Sequence, residues 1–372
     1  MRIAYITSHI NKSLQWYWFS EELVKRNIRH FHIILNEYEP ILARDLKKLG
    51  VEVYYLKHKN FLSHLINLFK VILILRKHPV DLVHTSLPYG NLIGQLAALI
   101  TGIQKRVTTC ENASWAHDFN SKKQEIIDRL TFWSAKKVIA TSDTSREYLE
   151  TKWKIKPDKL ITIYHGLKIM DYGNISKDRI LQLKKQLGIQ DQDFIIGVMA
   201  RFEYWKGHIY IVEAIRKIVK DHPDIKLLIF GSQGPEYEKI MEKVKEYNLS
   251  HHVFYKGFIE DPIALFQLVD IHVHVPINKY VENGGINIIE GMISERPQIL
   301  TKSGYAFTTA RHMKNCIVVD YSNSDQIAEA ILRLKNDPEL RKNLARQARL
   351  DAIKLFNNQL KVERHLDLYE RL

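Results

Sequence analysis

Two cations five positions apart stand next to a glycine in the segment from Met199 to Ala214. The apolar run before them predicts a buried strand ending at Ala200, and an amphipathic pattern predicts a helix after Gly207. Arg201 and Lys206 would then lie at the carboxyl edge of a parallel sheet, near a helix N-terminus, where a diphosphate binds well. Arg holds two phosphate oxygens at once, and Lys supplies a mobile point charge. The alternative is that both are ordinary solvent-exposed loop cations.

A second segment places two glutamates around a pair of glycines. Gly284 and Gly285 precede a predicted helix, Ile286–Ile293, so backbone N–H groups could approach a phosphate or hydroxyl closely. Glu282 could accept hydrogen bonds from sugar hydroxyls, and Glu290 could bind a vicinal diol such as that of ribose. By itself this spacing is a weak signal.

Three other patterns carry less information. Phe230–Pro235 is glycine-rich but holds only part of a dinucleotide-binding pattern, which predicts a tight strand-to-helix turn. His272 and His274 share one face of a predicted strand and could hold a metal, but no third ligand is evident, which favours packing. The aromatic run Trp16–Phe19 favours the packed face of a helix over a base-stacking platform.

Composition limits the class of protein. The chain has 372 residues, 45% hydrophobic and 26% charged, which predicts two globular domains. Cys110 and Cys316 are far apart and predict reduced thiols in a cytoplasmic protein, without a disulfide framework or a cysteine zinc site. The N-terminal residues suggest a strand rather than a secretory signal.

Charge is concentrated in the first half of the chain. The net charge is +13, and residues 1–165 hold 25 Lys and Arg against 15 Asp and Glu. This imbalance favours an anionic partner such as lipid headgroups, nucleic acid or a phosphorylated substrate. The alternative is a solvated basic surface that keeps the protein soluble.

Short apolar runs alternate with helical patterns along the whole chain, which predicts parallel sheets covered by helices on both faces. In the first half the predicted strands are Ile3–Thr7, Phe31–Leu35, Val51–Leu56, Leu82–Thr85, Arg106–Thr109, Val138–Ser142 and Leu160–Tyr164. The predicted helices between them are Leu14–Arg26, Ile41–Leu49, Leu62–Arg76, Leu92–Ile100 and Glu125–Ser134.

The second half repeats this plan after a polar connector near residues 166–190 that carries one helix. Its predicted strands are Phe194–Met199, Lys226–Phe230, Val253–Lys256, Ile271–Val275 and Gln298–Leu300. Its predicted helices are Ile209–Val219, Glu236–Glu246, Pro262–Leu268 and Ile286–Ile293. We therefore expect two α/β domains in tandem, with a last helix from about Leu355 that returns to the first domain.

Four segments occur in a familiar order and spacing: ARFEYWKG, FGSQGPE, GFIEDP and ENGGINIIEGMISERP. In this respect the chain resembles the retaining glycosyltransferase family 4, closely in its second half and in outline in its first. KVIATSDTSREYLE followed by DKLITIYHG also resembles the last strand–helix–strand of that family's N-terminal domain and its hinge. The resemblance implies the α/β GT-B architecture, in which two Rossmann-like domains face each other across a cleft. The implied domains are residues 1–166 on the acceptor side, with a helix at about 355–372 packed back on it, and residues 167–354 for the donor.

The resemblance also implies roles for individual residues. Arg201 and Lys206 match the pair that binds the donor diphosphate and stabilises its leaving charge. Glu282 matches the glutamate that contacts the transferred sugar, and Glu290 the one that contacts the ribose. The backbone of Gly285, Ile286 and Asn287 would face the sugar and phosphates.

The chemistry of that family suits these residue types. Breaking a glycosyl–diphosphate bond builds negative charge on the departing phosphate, which cations and helix N–H groups can stabilise. The resemblance implies a reaction without a metal or other cofactor, and retention by attack from the face of departure. The departing phosphate could then take the acceptor's proton, so no protein base is required.

Two departures from the family pattern fall in the first half. The region after the first strand has no glycine and holds Ser8, Asn11, Lys12 and Ser13 instead. The family often has a His after the strand matched by RVTTCEN, where this chain has Glu111, with His117 six residues later. Either residue could contact the sugar, or either could have a purely structural role.

The segment His58–His78 has an apolar body and basic ends. It is too short and too polar to span a bilayer, but it could lie on an anionic membrane surface. The alternative is a buried crossover helix. Some members of the resembled family glycosylate lipids at membranes, which favours a lipid-linked or membrane-proximal acceptor.

The leading hypothesis is a retaining hexosyltransferase that moves a sugar from a UDP or GDP donor to a glycan or lipid-linked acceptor. It would act in bacterial-type polysaccharide or glycolipid assembly, in the cytoplasm or peripherally on the inner face of the membrane. One alternative is a GT-B-fold sugar-nucleotide epimerase, although the acid–base residues it needs are not evident. The other is a non-catalytic basic module for membranes or polyanions, but no nucleic-acid motif supports nucleic acid as a partner.

Overall fold

The structure is a computed structural model that describes residues 1–59, 61–172, 175–259 and 261–372. Three predicted segments therefore extend beyond the described residues: the helix segment 58–78 at Asn60, the connector at Gly173 and Asn174, and the segment GFIEDP at Glu260. The chain divides into unit 1, Met1–Leu167 with Asn357–Leu372, and unit 2, Lys168–Phe356.

Unit 1 is built on a parallel sheet whose strand order, within the described residues, is β3-β2-β1-β4-β5-β6-β7. The strands are β1 (Arg2–Ser8), β2 (Arg29–Asn36), β3 (Glu52–Lys57), β4 (Leu82–Ser86), β5 (Lys105–Cys110), β6 (Lys137–Ala140) and β7 (Leu160–Thr162). The helices between them are α1 (Leu14–Lys25), α2 (Ile41–Lys48), α3 (Phe61–Lys77), α4 (Pro88–Ile100), α5 (Trp115–Asp118), α6 (Lys122–Ser134) and α7 (Asp143–Thr151). Successive residues of β1 are buried in opposite faces, because helices cover both sides of the sheet.

Unit 2 repeats the plan on a parallel sheet of order β10-β9-β8-β11-β12-β13 in the described part of the chain. The strands are β8 (Phe194–Met199), β9 (Ile225–Phe230), β10 (Val253–Gly257), β11 (Ile271–His274), β12 (Gln298–Leu300) and β13 (Ile317–Val318). The helices are α8 (Lys177–Leu187), α9 (His208–Ile218), α10 (Tyr237–Glu246), α11 (Pro262–Leu268), α12 (Ile286–Ile293), α13 (Tyr305–Thr309), α14 (Ser324–Asn336) and α15 (Pro338–Leu355). In both units the carboxyl ends of the strands meet at one edge, where side chains from separate segments can converge.

The last helix begins at Asn358, close to the start predicted near Leu355. Helix α15 ends at Leu355, and a separate helix, α16 (Asn358–Glu370), begins after a break. The Asn357 side chain caps the new helix by accepting from the Gln359 N–H at 2.8 Å. Helix α16 packs beside α1 in unit 1, where Val362, Leu368 and Tyr369 join the core.

Several predicted strand boundaries are wrong. The strand predicted to end at Ser142 stops at Ala140, because Ser142 instead caps α7 by accepting from the Ser145 N–H at 3.1 Å. The strand predicted to end at Tyr164 stops at Thr162, and the one predicted to end at Val275 stops one residue earlier. The sequence patterns also missed α13, α14, α15 and β13, where the apolar signal is short or interrupted.

Helix α3 buries one side and exposes an apolar stripe on the other. Val71 and Leu75 pack into the core of unit 1. The stripe consists of Leu62, Leu65, Ile66, Phe69 and Leu73, whose side chains are 46–63% exposed. Helix α3 is therefore only partly buried, which differs from the buried crossover helix that was the alternative prediction. No helix among the described residues is long and apolar enough to cross a membrane.

The core of unit 1 contains a group of buried histidines that no sequence pattern predicted. His84 lies between the Tyr369 hydroxyl, 2.5 Å from Nδ1, and the Thr109 hydroxyl, 2.7 Å from Nε2. Its ring stacks on that of His365, with centroids 5.6 Å apart. Burial lowers the pKa of His365 to about 3 and that of His84 well below its ordinary value. Both rings are therefore neutral in the folded chain at physiological pH.

Because these histidines are buried in their neutral form, we expect the free energy of unfolding to decrease in mild acid. The unfolded chain binds protons at these side chains below about pH 6.5, whereas the folded chain does not. Their contribution is therefore complete above that pH and falls as the pH decreases. We expect His365→Phe, which keeps an aromatic ring in place, to recover about 1 kcal/mol of the stability lost between pH 7.5 and 5.5. Chemical denaturation at the two pH values measures this change.

The exposed His251 supplies the matched control, His251→Gln, which should leave the pH dependence unchanged. If His365→Phe loses as much stability as the unmodified chain between the two pH values, this account of the histidine core is wrong.

Candidate functional site

Lys206 and Glu282, which the sequence places 76 residues apart, meet at the carboxyl edge of the unit 2 sheet. The Lys206 ammonium forms an ion pair with Glu282 Oε2, and the two side chains are only 17% and 13% exposed. Burial acts to raise the pKa of Glu282, but Lys206 and the neighbouring His274 outweigh it and lower the pKa to about 2. The site thus holds an ionised carboxylate and its cation with little access to water.

The approach of two loops creates this pair. Lys206 ends a short turn, Tyr204–Lys206, and Gly207 follows with a φ of 72°. A Cβ on Gly207 would lie 2.2 Å from the carbonyl oxygen of Val275, which directly follows β11. Only a residue without a side chain allows this contact, so Gly207 lets the loop after β8 pack against the loop after β11.

His274 is a site residue that the sequence analysis missed, because it favoured a packing role for both histidines of β11. His272 is buried, with Nδ1 2.8 Å from the Gln298 amide. His274 instead has Nε2 3.3 Å from Glu282 Oε2. Its position in the sequence could have identified it, because His274 is the last residue of a central strand whose carboxyl end faces the site.

Asn287 joins three elements at the start of α12. Its amide nitrogen donates to the Met199 carbonyl at the end of β8 and lies 2.9 Å from His274 Nδ1. Gly285 precedes the helix with a φ of 81°. The first-turn N–H groups of a helix have no intrahelical acceptor, so those of Ile286 and Asn287 can serve an anion at this edge.

Arg201 and Glu290 are placed differently from the Lys206–Glu282 pair. Arg201 is 61% exposed, with a guanidinium nitrogen 3.3 Å from Glu203. Glu290 accepts a hydrogen bond from the Tyr172 hydroxyl at 3.1 Å, and burial raises the pKa of Glu290 to about 7 despite that bond. Tyr172, in the connector before α8, was not identified from the sequence, where no pattern distinguishes it.

Unit 1 gathers a second charged cluster at the carboxyl edge of its sheet, around Glu111. Glu111 accepts from the Ser86 hydroxyl at 2.9 Å and lies 3.3 Å from His165 Nε2. Burial acts to raise the pKa of Glu111, but His165 and Ser86 outweigh it, so the carboxylate is ionised. Lys361 of α16 contributes a partly buried ammonium whose pKa burial lowers to about 8 although Glu111 opposes the shift. The sequence analysis missed His165 and Lys361, which are remote in the chain.

The alternative residue, His117, has other surroundings. It lies on α5, its Nδ1 is 2.9 Å from the Tyr148 hydroxyl, and its ring stacks on Trp153 at 4.8 Å between centroids. Glu111 therefore belongs to a charged cluster, whereas His117 packs against an aromatic ring. In the described ranges, no group of three or more His, Cys, Asp or Glu is arranged to hold a metal ion.

Comparison with known proteins identifies the family. Residues 180–351 match the model for glycosyl transferases group 1, and residues 16–169 match the model for glycosyltransferase family 4. The capsular polysaccharide biosynthesis glycosyltransferase CapM of Staphylococcus aureus is 22% identical over 94% of this chain and 92% of CapM. A UDP-Gal:α-D-GlcNAc-diphosphoundecaprenol α-1,3-galactosyltransferase of Escherichia coli is 20% identical over 83% of this chain and 79% of its own length.

A solved structure has the same fold. HepE of Anabaena, crystallised with UDP and glucose, superposes with a TM-score of 0.85 at 18% identity over 100% of this chain and 99% of HepE. Because the two family models match successive parts of one chain and its sheets have the fold of HepE, this chain is a glycosyltransferase of the group 1, family 4-like class with the GT-B fold.

Proposed function

We propose that this glycosyltransferase moves a hexose-type sugar from a UDP or GDP donor to a glycan or lipid-linked acceptor, with retention of configuration and without a metal. The observation that carries the proposal is the buried Lys206–Glu282 ion pair at the sheet edge where α12 begins. Arg201 follows β8 at the same edge, with an exposed side chain. Cations and N–H groups there suit a diphosphate, and a carboxylate beside them suits sugar hydroxyls.

The charges that develop during the reaction explain why cations and a carboxylate occur together in the site. As the glycosyl–phosphate bond breaks, Arg201, Lys206 and the N–H groups of Ile286 and Asn287 would stabilise the departing phosphate. Glu282 would accept hydrogen bonds from the sugar, whose carbon becomes positive. The departing phosphate would take the acceptor's proton, so the reaction needs no protein base.

One further contact belongs to the proposed donor site in unit 2. Glu290, held by Tyr172, would accept hydrogen bonds from the ribose diol. UDP is the favoured nucleotide, because HepE was crystallised with UDP and glucose. As a separate proposal within unit 1, Glu111 rather than His117 contacts a sugar, since Glu111 is an ionised carboxylate at the carboxyl edge of that sheet.

The acceptor proposal is supported by the relatives and by α3. CapM is named for capsular polysaccharide biosynthesis, and the E. coli relative acts on a sugar linked to diphosphoundecaprenol. Lys70, Arg76 and Lys77 of α3 are exposed together with its apolar stripe. Apolar groups with basic residues beside them bind anionic membrane surfaces, so we propose that unit 1 docks peripherally on such a surface, at the inner face of the membrane.

The donor site is tested first by thermal unfolding with UDP- and GDP-sugars, with and without EDTA. A ligand at 100 times its dissociation constant adds about 2.7 kcal/mol of stability, which raises the melting temperature measurably. We expect one nucleotide class to stabilise the chain equally in EDTA, and Arg201→Ala to weaken its binding roughly tenfold or more. Loss of stabilisation in EDTA with recovery in manganese would contradict the metal-free proposal.

Arg201 gives a cleaner test than Lys206 because its side chain is exposed. Lys206→Ala would leave the Glu282 carboxylate buried without its cation, which costs about 3–5 kcal/mol by itself. If no nucleotide sugar shifts the melting temperature, or if Arg201→Ala binds normally, the donor site is wrongly placed.

Glu282→Gln should separate turnover from nucleotide affinity. The amide keeps the shape of the side chain but removes the charge assigned to the sugar, so we expect kcat to fall roughly 100-fold. The dissociation constant for the free nucleotide should change less than about threefold. Glu238→Gln, at an exposed position of α10, is the matched control. Equal loss of turnover and nucleotide affinity would remove Glu282 from the proposed role.

Membrane docking is tested by sedimentation with phosphatidylcholine vesicles that contain or lack phosphatidylglycerol. Leu65→Ser with Phe69→Ser should lower binding to the anionic vesicles at least tenfold, because each side chain contributes about 1.5–3 kcal/mol when buried. Leu181→Ser, at an exposed apolar position of α8, is the control. Unchanged binding by the double variant, or a stripe that instead joins two copies of the chain in solution, would contradict the proposal.

A further inference from the structure

A cavity of about 170 Å³ opens beside Glu111 at the carboxyl ends of β4 and β5 in unit 1. Its walls combine apolar groups with planar polar side chains: Trp115, Phe132, Gln124, Asp128, Asn91 and Glu111 contribute to the lining. Ligand sites for drug-sized molecules usually measure about 300–1,000 Å³. This smaller cavity suits a single ring-sized group.

Among the lining residues, Asp128 is unusual because it places a carboxyl group beside apolar walls. It lies on α6, and its Oδ1 accepts from the Gln124 side chain at 2.8 Å. Within the described residues it has no ion pair, and burial raises its pKa to about 7 although Gln124 acts to lower it. A carboxyl group beside apolar walls destabilises a fold unless hydrogen-bond donors reach it. A ligand that brings hydroxyl groups would supply such donors.

The charge and the aromatic character of the cavity walls limit which class of ligand can bind there. Two carboxyl groups, Asp128 and the ionised Glu111, disfavour a phosphate or another anion. Trp115 is 41% exposed and offers an aromatic face beside them. A ligand with hydroxyls along its edge and an apolar C–H face satisfies both kinds of wall, and a pyranose ring has that character.

We propose that this cavity binds one sugar ring of the acceptor, with Asp128 and Gln124 receiving its hydroxyls and Trp115 its C–H face. The proposal deepens the proposed function and rests on it for the identity of the sugar as acceptor. Asp128 is here a specificity-determining residue and takes no part in bond breaking.

Binding should be linked to protonation of Asp128. The groups that face it are the Cys110 thiol, whose pKa is raised by burial and by Asp128, together with Glu111 and the neutral Gln124. Hydroxyls donate more strongly to an ionised carboxylate than to the acid. A bound sugar therefore favours the ionised form, and its affinity should rise as the pH increases through about 7.

The test uses ligand-observed NMR on the full chain with three probes at about 50 mM: methyl α-D-glucopyranoside, methyl α-D-galactopyranoside and methyl N-acetyl-α-D-glucosaminide. We expect at least one probe to bind, with affinity that increases from pH 6 to 8. Asp128→Ala should weaken it about tenfold, and Asp128→Asn should remove the pH dependence while preserving the fold. Asp158→Asn, at an exposed position of unit 1, should behave like the unmodified chain.

Thermal shifts with UDP- and GDP-sugars on the same samples separate the two proposals. A donor shift with no probe binding, or with probe binding that Asp128→Ala leaves intact, overturns the cavity proposal alone. Probe binding that is lost in Glu282→Gln but kept in Asp128→Ala places the sugar in unit 2 and also overturns it. Probe binding that depends on Asp128, without any donor shift, supports the sugar site and contradicts the proposed donor.

Discussion

The buried contact between Lys206 and Glu282 is the interaction on which the candidate site depends. A carboxylate withdrawn from water is stable only beside a cation or strong hydrogen-bond donors, and Lys206 with His274 meets that requirement. The contact exists because Gly207 lets one loop approach the backbone of another. In the proposed function, Lys206 would serve the donor diphosphate while the adjacent Glu282 serves the sugar.

The end of β8, the end of β11 and the start of α12 form one hydrogen-bonded assembly through Asn287. This assembly determines where the N–H groups of α12 lie relative to the Lys206–Glu282 pair. A polar side chain that bonds to both strands keeps these groups in place before a ligand arrives, which lowers the reorganisation needed in a reaction that builds charge.

In unit 1, charged side chains likewise meet at the carboxyl edge of the sheet, but they are different residues. Its strands also end at one edge, where Glu111 meets His165 and the ammonium of Lys361 lies close enough to influence its pKa. Lys361 belongs to α16, so the end of the chain contributes to chemistry organised by the first strands. The adjacent cavity with Asp128 shows that this edge combines an ionised carboxylate with a carboxyl group of raised pKa.

Local sequence was sufficient for most strands, because residues buried on both faces form continuous apolar runs. It also selected Arg201, Lys206 and Glu282 as candidate site residues, because their order along the chain matches a known family. It was not sufficient for α15 or for the short α13 and β13. His274, His165, Tyr172, Lys361 and Asp128 acquire their surroundings from residues far away in the chain. Burial and neighbouring charge are properties of the folded chain, so their pKa values and partners were decided by tertiary structure alone.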